Sequence, residues 1–370
     1  MSQQKTDQTP YLVAIHRCIN LTQKRYKYLK TFFKNDFKKA FKASICDWQQ
    51  AGLEKKVIEK FFTDRTKTNP KKEIELLGKC DASVIVCDSS DLFLSLKNIH
   101  NPPVLLFVRG EILETDFPSI SVVGSRKISP YGKRAAHFIL EDIVRENITI
   151  VSGLAYGTDG LAHQIALDNG GRTIGVLGNG IDEICPKRNK NLGERILTEN
   201  RGAIISEYLP GTGGRPENFP VRNRIVAGLS RGTILIEAAK RSGTLITARL
   251  ANEMGREVFA VPGEIFSKTS EGTNQLISDG AAHLALSGAS IIETLNFHHH
   301  KITKETRKDF PLSDTDRIIL QVFDGRSKLH IDDIYNLCSL ENSVISSTLL
   351  LLEMRGIVHN LGNQTYDYNY

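Results

Sequence analysis

From Ser119 onward the chain alternates short apolar runs with amphipathic segments of helical length, and few folds accept that pattern. The runs are "SISVVG", "ITIVSG", "RTIGVLGNG", "GAIISE", "GTILIE" and "REVFAVPG". Each is nearly continuous in Val and Ile, as expected of strands covered on both faces. Between the first two, residues 131–146 place Ala135, Ile139 and Ile143 on one stripe, with Ala136, Leu140 and Val144 beside it, a spacing that predicts a helix. Strand–helix repeats of this length imply right-handed βαβ crossovers and a parallel sheet between two helical layers. The expected fold is therefore α/β, a doubly wound Rossmann-like sheet.

The flanks differ from this centre. Residues 11–63 space apolar side chains three and four apart, for example Phe33, Phe37 and Phe41, which predicts short helices. "SVIVC" (83–87) and "VLLFVRG" (104–110) suit two more strands. Beyond the polar stretch "NFHHHKITKETRKDFPLSD" (296–314), three helical segments and "GIVHNLGNQTYDY" follow the order of a winged-helix module. The expected organisation is a helical (SAM-like) domain over 1–75, an extended Rossmann-like domain over 76–295, a linker over 296–311, and a winged-helix-like domain over 312–370.

Composition narrows the function classes. Among the 370 residues no apolar run reaches the length of a membrane span. The six cysteines include no CxxC pair, which suits a reduced, cytoplasmic protein with incidental thiols. "HHH" at 298–300 sits in a polar linker and is expected to be solvated rather than metal-bound. Net charge is +6, yet residues 1–80 carry 18 Lys/Arg against 8 Asp/Glu. That basic segment is compatible with polyanion binding and equally with a solvated lysine-rich surface.

In a doubly wound sheet, ligands bind beyond the C-terminal strand ends. Five such ends here carry Gly, Ser or charge: "GSRKISPYG", "SGLAYGTDGLAH", "GNGIDEICPKRN", "SEYLPGTGGRPENFPVRNR" and "EAAKRSGTLITA". Glycine allows backbone N–H groups to approach a phosphate closely. The dinucleotide fingerprint fails, because Arg126 stands where its second glycine belongs. There is no GxxxxGK[ST] loop and no GxSxG elbow. His163, beside Ala162 and Ala166 on an amphipathic segment, suits helix packing. No cofactor or metal is expected.

Arg222 and Arg224 begin a predicted helix next to Phe219, with Arg126 and Arg215 on neighbouring loops. Guanidinium forks suit phosphate and an aromatic face suits a base. The same residues could instead plug the core and pair with Glu207, Glu217 and Glu237. Residues alone leave both open.

The motifs "VVGSRKISPYG", "IVSGLAYGTDGLAHQIAL", "FPVRNR" and "SGTLITARLANEMGREVFAVPG", spread over about 120–285, closely resemble those of the DNA-processing protein A family (DprA, also called Smf). The resemblance implies a protein that binds single-stranded DNA without reading sequence, loads the RecA recombinase during natural transformation, forms homodimers through the Rossmann-like domain and catalyses no reaction. By motif position, the implied DNA-binding set is Gly124, Ser125, Arg126, Ser152, Gly153, Arg215, Phe219, Arg222, Asn223, Arg224, Lys240 and Gly243. Within it, the motifs holding Ser152, Gly153 and Gly243 are expected to shape loops more than touch bases. Cys185-Pro186 departs from the family's Tyr-Pro. The last predicted helix offers Arg355 as its one base, so the C-terminal module is expected to pack against protein rather than read duplex DNA. The competing class is a nucleotide phosphoribohydrolase-like enzyme using Glu237 on the same sheet.

Overall fold

In the computed structural model, the described residues are 3–89, 93–97, 99–297, 313–323, 328–354, 357–360 and 364–368. The 298–300 histidines, the linker from residue 298 and Arg355 lie outside them.

The predicted strands form β3 (Ser119–Val123), β4 (Thr149–Ser152), β5 (Thr173–Gly180), β6 (Gly202–Tyr208), β7 (Ser230–Leu235) and β8 (Glu257–Ala260). They join β1 (Ala82–Val86), β2 (Leu105–Gly110) and β9 (His283–Leu284) in a nine-stranded sheet of order β1-β2-β6-β5-β4-β3-β7-β8-β9. From β6 through β9 every pairing is parallel, whereas β2 pairs antiparallel with both β1 and β6. The crossover direction reverses between β3 and β7, so the switch point where ligands enter lies beyond Val123 and Leu235.

Both faces of the sheet are apolar. On β5, Leu177 packs into one core while Ile174 and Val176 pack into the other, as the continuous apolar strands require. Helix Pro130–Arg145 begins at Ser129, whose hydroxyl accepts from the Gly132 N–H at 3.0 Å and so caps it.

The N-terminal helices run from Gln3–Ile19 through Pro70–Lys79. Their Leu12, Ile15, Trp48 and Phe61 share one cluster with Phe107, Leu177 and Ile204 of the sheet. Trp48 and Phe61 stack at 3.8 Å within it. Polar contacts fix the docking. His16 Nδ1 accepts from the Leu21 N–H, so Nε2 donates to the Glu207 carbonyl, both at 3.2 Å. Arg17 reaches Glu73 at 2.9 Å and the Pro210 carbonyl at 3.0 Å.

Residues 1–291 form one compact unit and 292–370 a second. In the second, helices Asp314–Gln321, Ile331–Leu337 and Asn342–Met354 surround Ile319, Ile334, Ile345 and Leu349. A three-stranded sheet of β10 (Lys328–His330), β11 (His359–Asn360) and β12 (Thr365–Asp367) completes it. The short strand β10 between the first two helices was not anticipated. Among the described residues no helix is long and apolar enough to cross a membrane.

Burial lowers the His16 pKa to about 4, from an ordinary 6.5. The unfolded chain takes up a proton below about pH 6.5 while the folded chain does not until about pH 4. The stability contribution is therefore intact above pH 6.5 and falls as pH drops through that window, by about 3 kcal/mol in all. Denaturant unfolding at pH 7.5 and pH 5 should show about 2 kcal/mol of this loss, and His16→Asn should show a smaller one.

Candidate nucleic-acid interface

The loops beyond β3, β4 and β5 interlock. The Ser125 carbonyl accepts from the Thr158 N–H at 3.1 Å and from its hydroxyl at 3.2 Å. A Cβ on Gly124 would stand 2.4 Å from that same hydroxyl oxygen. Gly157, with φ of 73°, lies so close to the Ser125 carbonyl that a side chain would meet it at 2.3 Å. Thr244 donates to the Gly124 carbonyl at 3.0 Å. The Asn189 amide donates to the Leu154 and Ala155 carbonyls at 2.8 and 2.9 Å, pinning the basic run 187–190 against the β4 loop.

Held this way, Arg126, Lys127, Lys133, Arg188 and Arg195 surround an open trough of about 940 Å³, with Tyr156 on its wall and no carboxylate in its lining. Tyr156 is 45% exposed. Arg195 is paired with Asp168 and Glu199. Among the described residues the other four cations have no ion pair. The trough is thus a concentrated positive field with an aromatic edge, suited to a polyanion with accessible bases.

Arg126 also stands over the Phe219 ring, its guanidinium carbon 5.9 Å from the centroid. Phe219 rests on strand β5 because Gly178 has no side chain; a Cβ there would lie 2.9 Å from the ring. The structure therefore brings Gly124, Ser125, Arg126 and Phe219 together. Of the predicted set Arg126 alone lines the trough, with Gly124, Ser125 and Phe219 beside it; Asn223 is half-buried and Arg215, Lys240 and Gly243 are exposed, all outside its lining.

The structure sets four of the predicted residues beneath the rim, Ser152 and Gly153 in the loop-shaping place expected of them and Arg222 and Arg224 away from the phosphate-facing place. Arg222 is only 4% exposed and cannot reach a phosphate at the surface. Its Nη1 donates to the Val176 carbonyl and its guanidinium fills the space above Gly153, where a Cβ would meet Nη1 at 2.1 Å. Burial pulls its pKa down, opposed by buried Asp159. Arg224 is already occupied: its Nη2 donates to both Glu207 oxygens, at 2.7 and 2.6 Å. Ser152 is fully buried and donates to the Val122 carbonyl at 2.6 Å. Gly153 is buried too, its N–H donating to Asp159 at 3.2 Å. All four build the rim from beneath.

Sequence reasoning missed Lys127, Lys133, Arg188 and Tyr156. The signal was available in "PKRNK" (186–190) and in "AYG" (155–157), a basic run and an aromatic following two adjacent strands.

Glu237 is 1% exposed. Its carboxylate accepts from the Ser129 N–H at 3.0 Å, the Ser129 hydroxyl at 2.5 Å and the Thr269 hydroxyl at 3.3 Å. Both oxygens accept hydrogen bonds, in the wall of a separate cavity lined also by Tyr131, Arg134 and Pro262. His163 is likewise buried, held through Nδ1 to Thr173 at 2.6 Å, and burial lowers its pKa to about 3.

A sequence profile described as DNA recombination-mediator protein A matches residues 83–296. The chain is 45% identical over 202 residues to "DNA processing protein DprA" of Streptococcus pneumoniae, covering 55% of this chain and 70% of that protein. A crystal structure of that DNA processing protein A superposes with a TM-score of 0.66 at 35% identity, covering 77% of this chain and 97% of the other. The Helicobacter pylori protein, whose structure is described as revealing a single-stranded DNA binding mode, gives a TM-score of 0.53 at 28% identity, covering 59% and 96%.

If Arg222 fills the space above Gly153, Gly153→Ala should cost about 1–3 kcal/mol through overpacking, read as a lowered thermal midpoint. An unchanged midpoint would contradict the close approach.

Proposed function

The chain belongs to the DNA recombination-mediator protein A family, and from that premise we propose that it binds single-stranded DNA without sequence preference and loads the RecA recombinase onto incoming strands in natural transformation. The observation that carries the binding step is the carboxylate-free trough in which Arg126, Lys127, Lys133 and Arg188 stand unpaired among the described residues. Phosphates lie along these cations, while bases meet Tyr156 and the exposed part of Phe219. No base-edge recognition is involved, so affinity follows charge and stacking rather than sequence. The recombinase step rests on the family's description as a recombination mediator and on no contact in this chain. The family resemblance also points to a homodimer through the Rossmann-like domain, located in the cytoplasm. Strand β9, last in the sheet among the described residues, with Leu284 and nearby Leu286 exposed, supports such a pairing.

Binding to oligo-dT measured by anisotropy at several salt concentrations tests the trough. Arg126→Ala should weaken binding and lower the log–log salt slope by about 0.7, one phosphate contact on a single strand. Phe219→Ala should lose about 1–3 kcal/mol of binding with the slope kept. Wild-type affinity and slope for Arg126→Ala would refute the assignment.

A further inference from the structure

The N-terminal helices carry a second basic surface that the trough does not use. Residues 23–42 hold eight Lys/Arg and one acidic residue, Asp36. Some of those cations are committed: Arg25 pairs with Glu54 and Lys30 with Asp88. Lys24, Lys27 and Lys34 are exposed and, among the described residues, have no ion pair. On helix Gln23–Phe32, Lys24, Lys27, Tyr28 and Thr31 share one face, at spacings of three and four. Lys24 stands 5.7 Å from the Tyr28 ring centroid. Tyr28 and Phe32 are 39% and 40% exposed. The chain then turns through Lys34 and Asn35, both left-handed at φ of 50° and 65°. Asparagine tolerates that region, but lysine rarely enters it. The turn is followed by helix Phe37–Lys42, where Lys39 and Lys42 are again exposed.

The topology puts this surface at the same rim as the trough. β1 is antiparallel to β2, and β2 is antiparallel to β6. β1 therefore runs with the parallel strands, and its C-terminal end opens at their ligand-binding edge. Asp88, just past that end, holds Lys30 of helix Gln23–Phe32. At the neighbouring end of β6 sit Glu207 and its partner Arg224. From β3, which delivers Arg126, to β1 is five strand steps, about 24 Å at about 4.8 Å each.

We propose that this surface extends the nucleic-acid path: a single strand held in the trough continues along the rim onto helix Gln23–Phe32, its phosphates on Lys24, Lys27 and Lys34 and its bases against Tyr28 and Phe32. A single strand fits better than a duplex because exposed rings need unpaired base faces. Lysines without oriented amide or guanidinium partners give attraction without readout. The inference rests on the trough being the primary site.

The test uses the full chain and oligo-dT of two lengths, about 6 nucleotides to fill the trough alone and about 25 to reach beyond it. In the triple variant Lys24→Gln/Lys27→Gln/Lys34→Gln, the long strand should bind more weakly, with a salt slope lower by about 2 for three lost contacts. The short strand should bind as to the wild type. The corresponding triple Lys→Arg variant should restore the long-strand slope, and an unchanged thermal midpoint would show that both variants are folded. Wild-type affinity and slope on the long strand in the glutamine variant would overturn the extension. Loss confined to duplex DNA would overturn it too, marking the surface as a duplex contact. If Arg126→Ala weakens both lengths while the glutamine variant weakens neither, only the extension fails. If Arg126→Ala alters neither, the trough itself is wrong.

Discussion

Arg222 lies with its guanidinium beneath the rim, against Gly153 of the β4 loop and the Val176 carbonyl of β5. Removing an arginine from water is expensive unless its charge and donors are met. Here a backbone carbonyl and the field of buried Asp159 offset part of that cost, while its Nε finds no partner. What the strut secures is position. It fixes helix Asn218–Leu229 to the loop after β4 and to the middle of β5, and therefore sets where Phe219 and Arg224 stand.

The rest of the rim follows from that constraint. With Phe219 seated on Gly178, Arg126 has a ring to lie over. With Arg224 turned to Glu207, the free positive charge lies on the β3 loop, on helix Pro130–Arg145 and on the run after β5. The difference between a charge that is present and one that is available decides function here. Charged residues are many, yet the trough gathers four cations without an ion pair among the described residues, because no carboxylate enters its lining.

Much of the sheet was legible from the sequence. The apolar runs beginning at "SISVVG" and "REVFAVPG" give β3 and β8, and the predicted helix over 131–146 is Pro130–Arg145. Continuous Val/Ile runs fit little besides a strand covered on both sides. The antiparallel edge formed by β1 and β2 was not legible, because pairing direction leaves no mark on the side-chain pattern. In the site, Arg126 and Phe219 stand together. Arg222 and Arg224 could have been separated in advance, since residues two apart on a helix point to nearly opposite sides. Two arginines so spaced cannot both face one groove.

The sequence by itself determined the strand–helix alternation, the glycine-rich strand ends and the residue types at the rim. These are local properties: each depends on a few neighbouring side chains and the backbone freedom they leave. Only the tertiary structure decided which cations remain free. Burial of Arg222, capture of Arg224 by Glu207 and convergence of Lys133 and Arg188 on Arg126 depend on segments distant in the chain. Electrostatic availability is set by distance and dielectric in space, and the order of residues along a chain does not contain those distances.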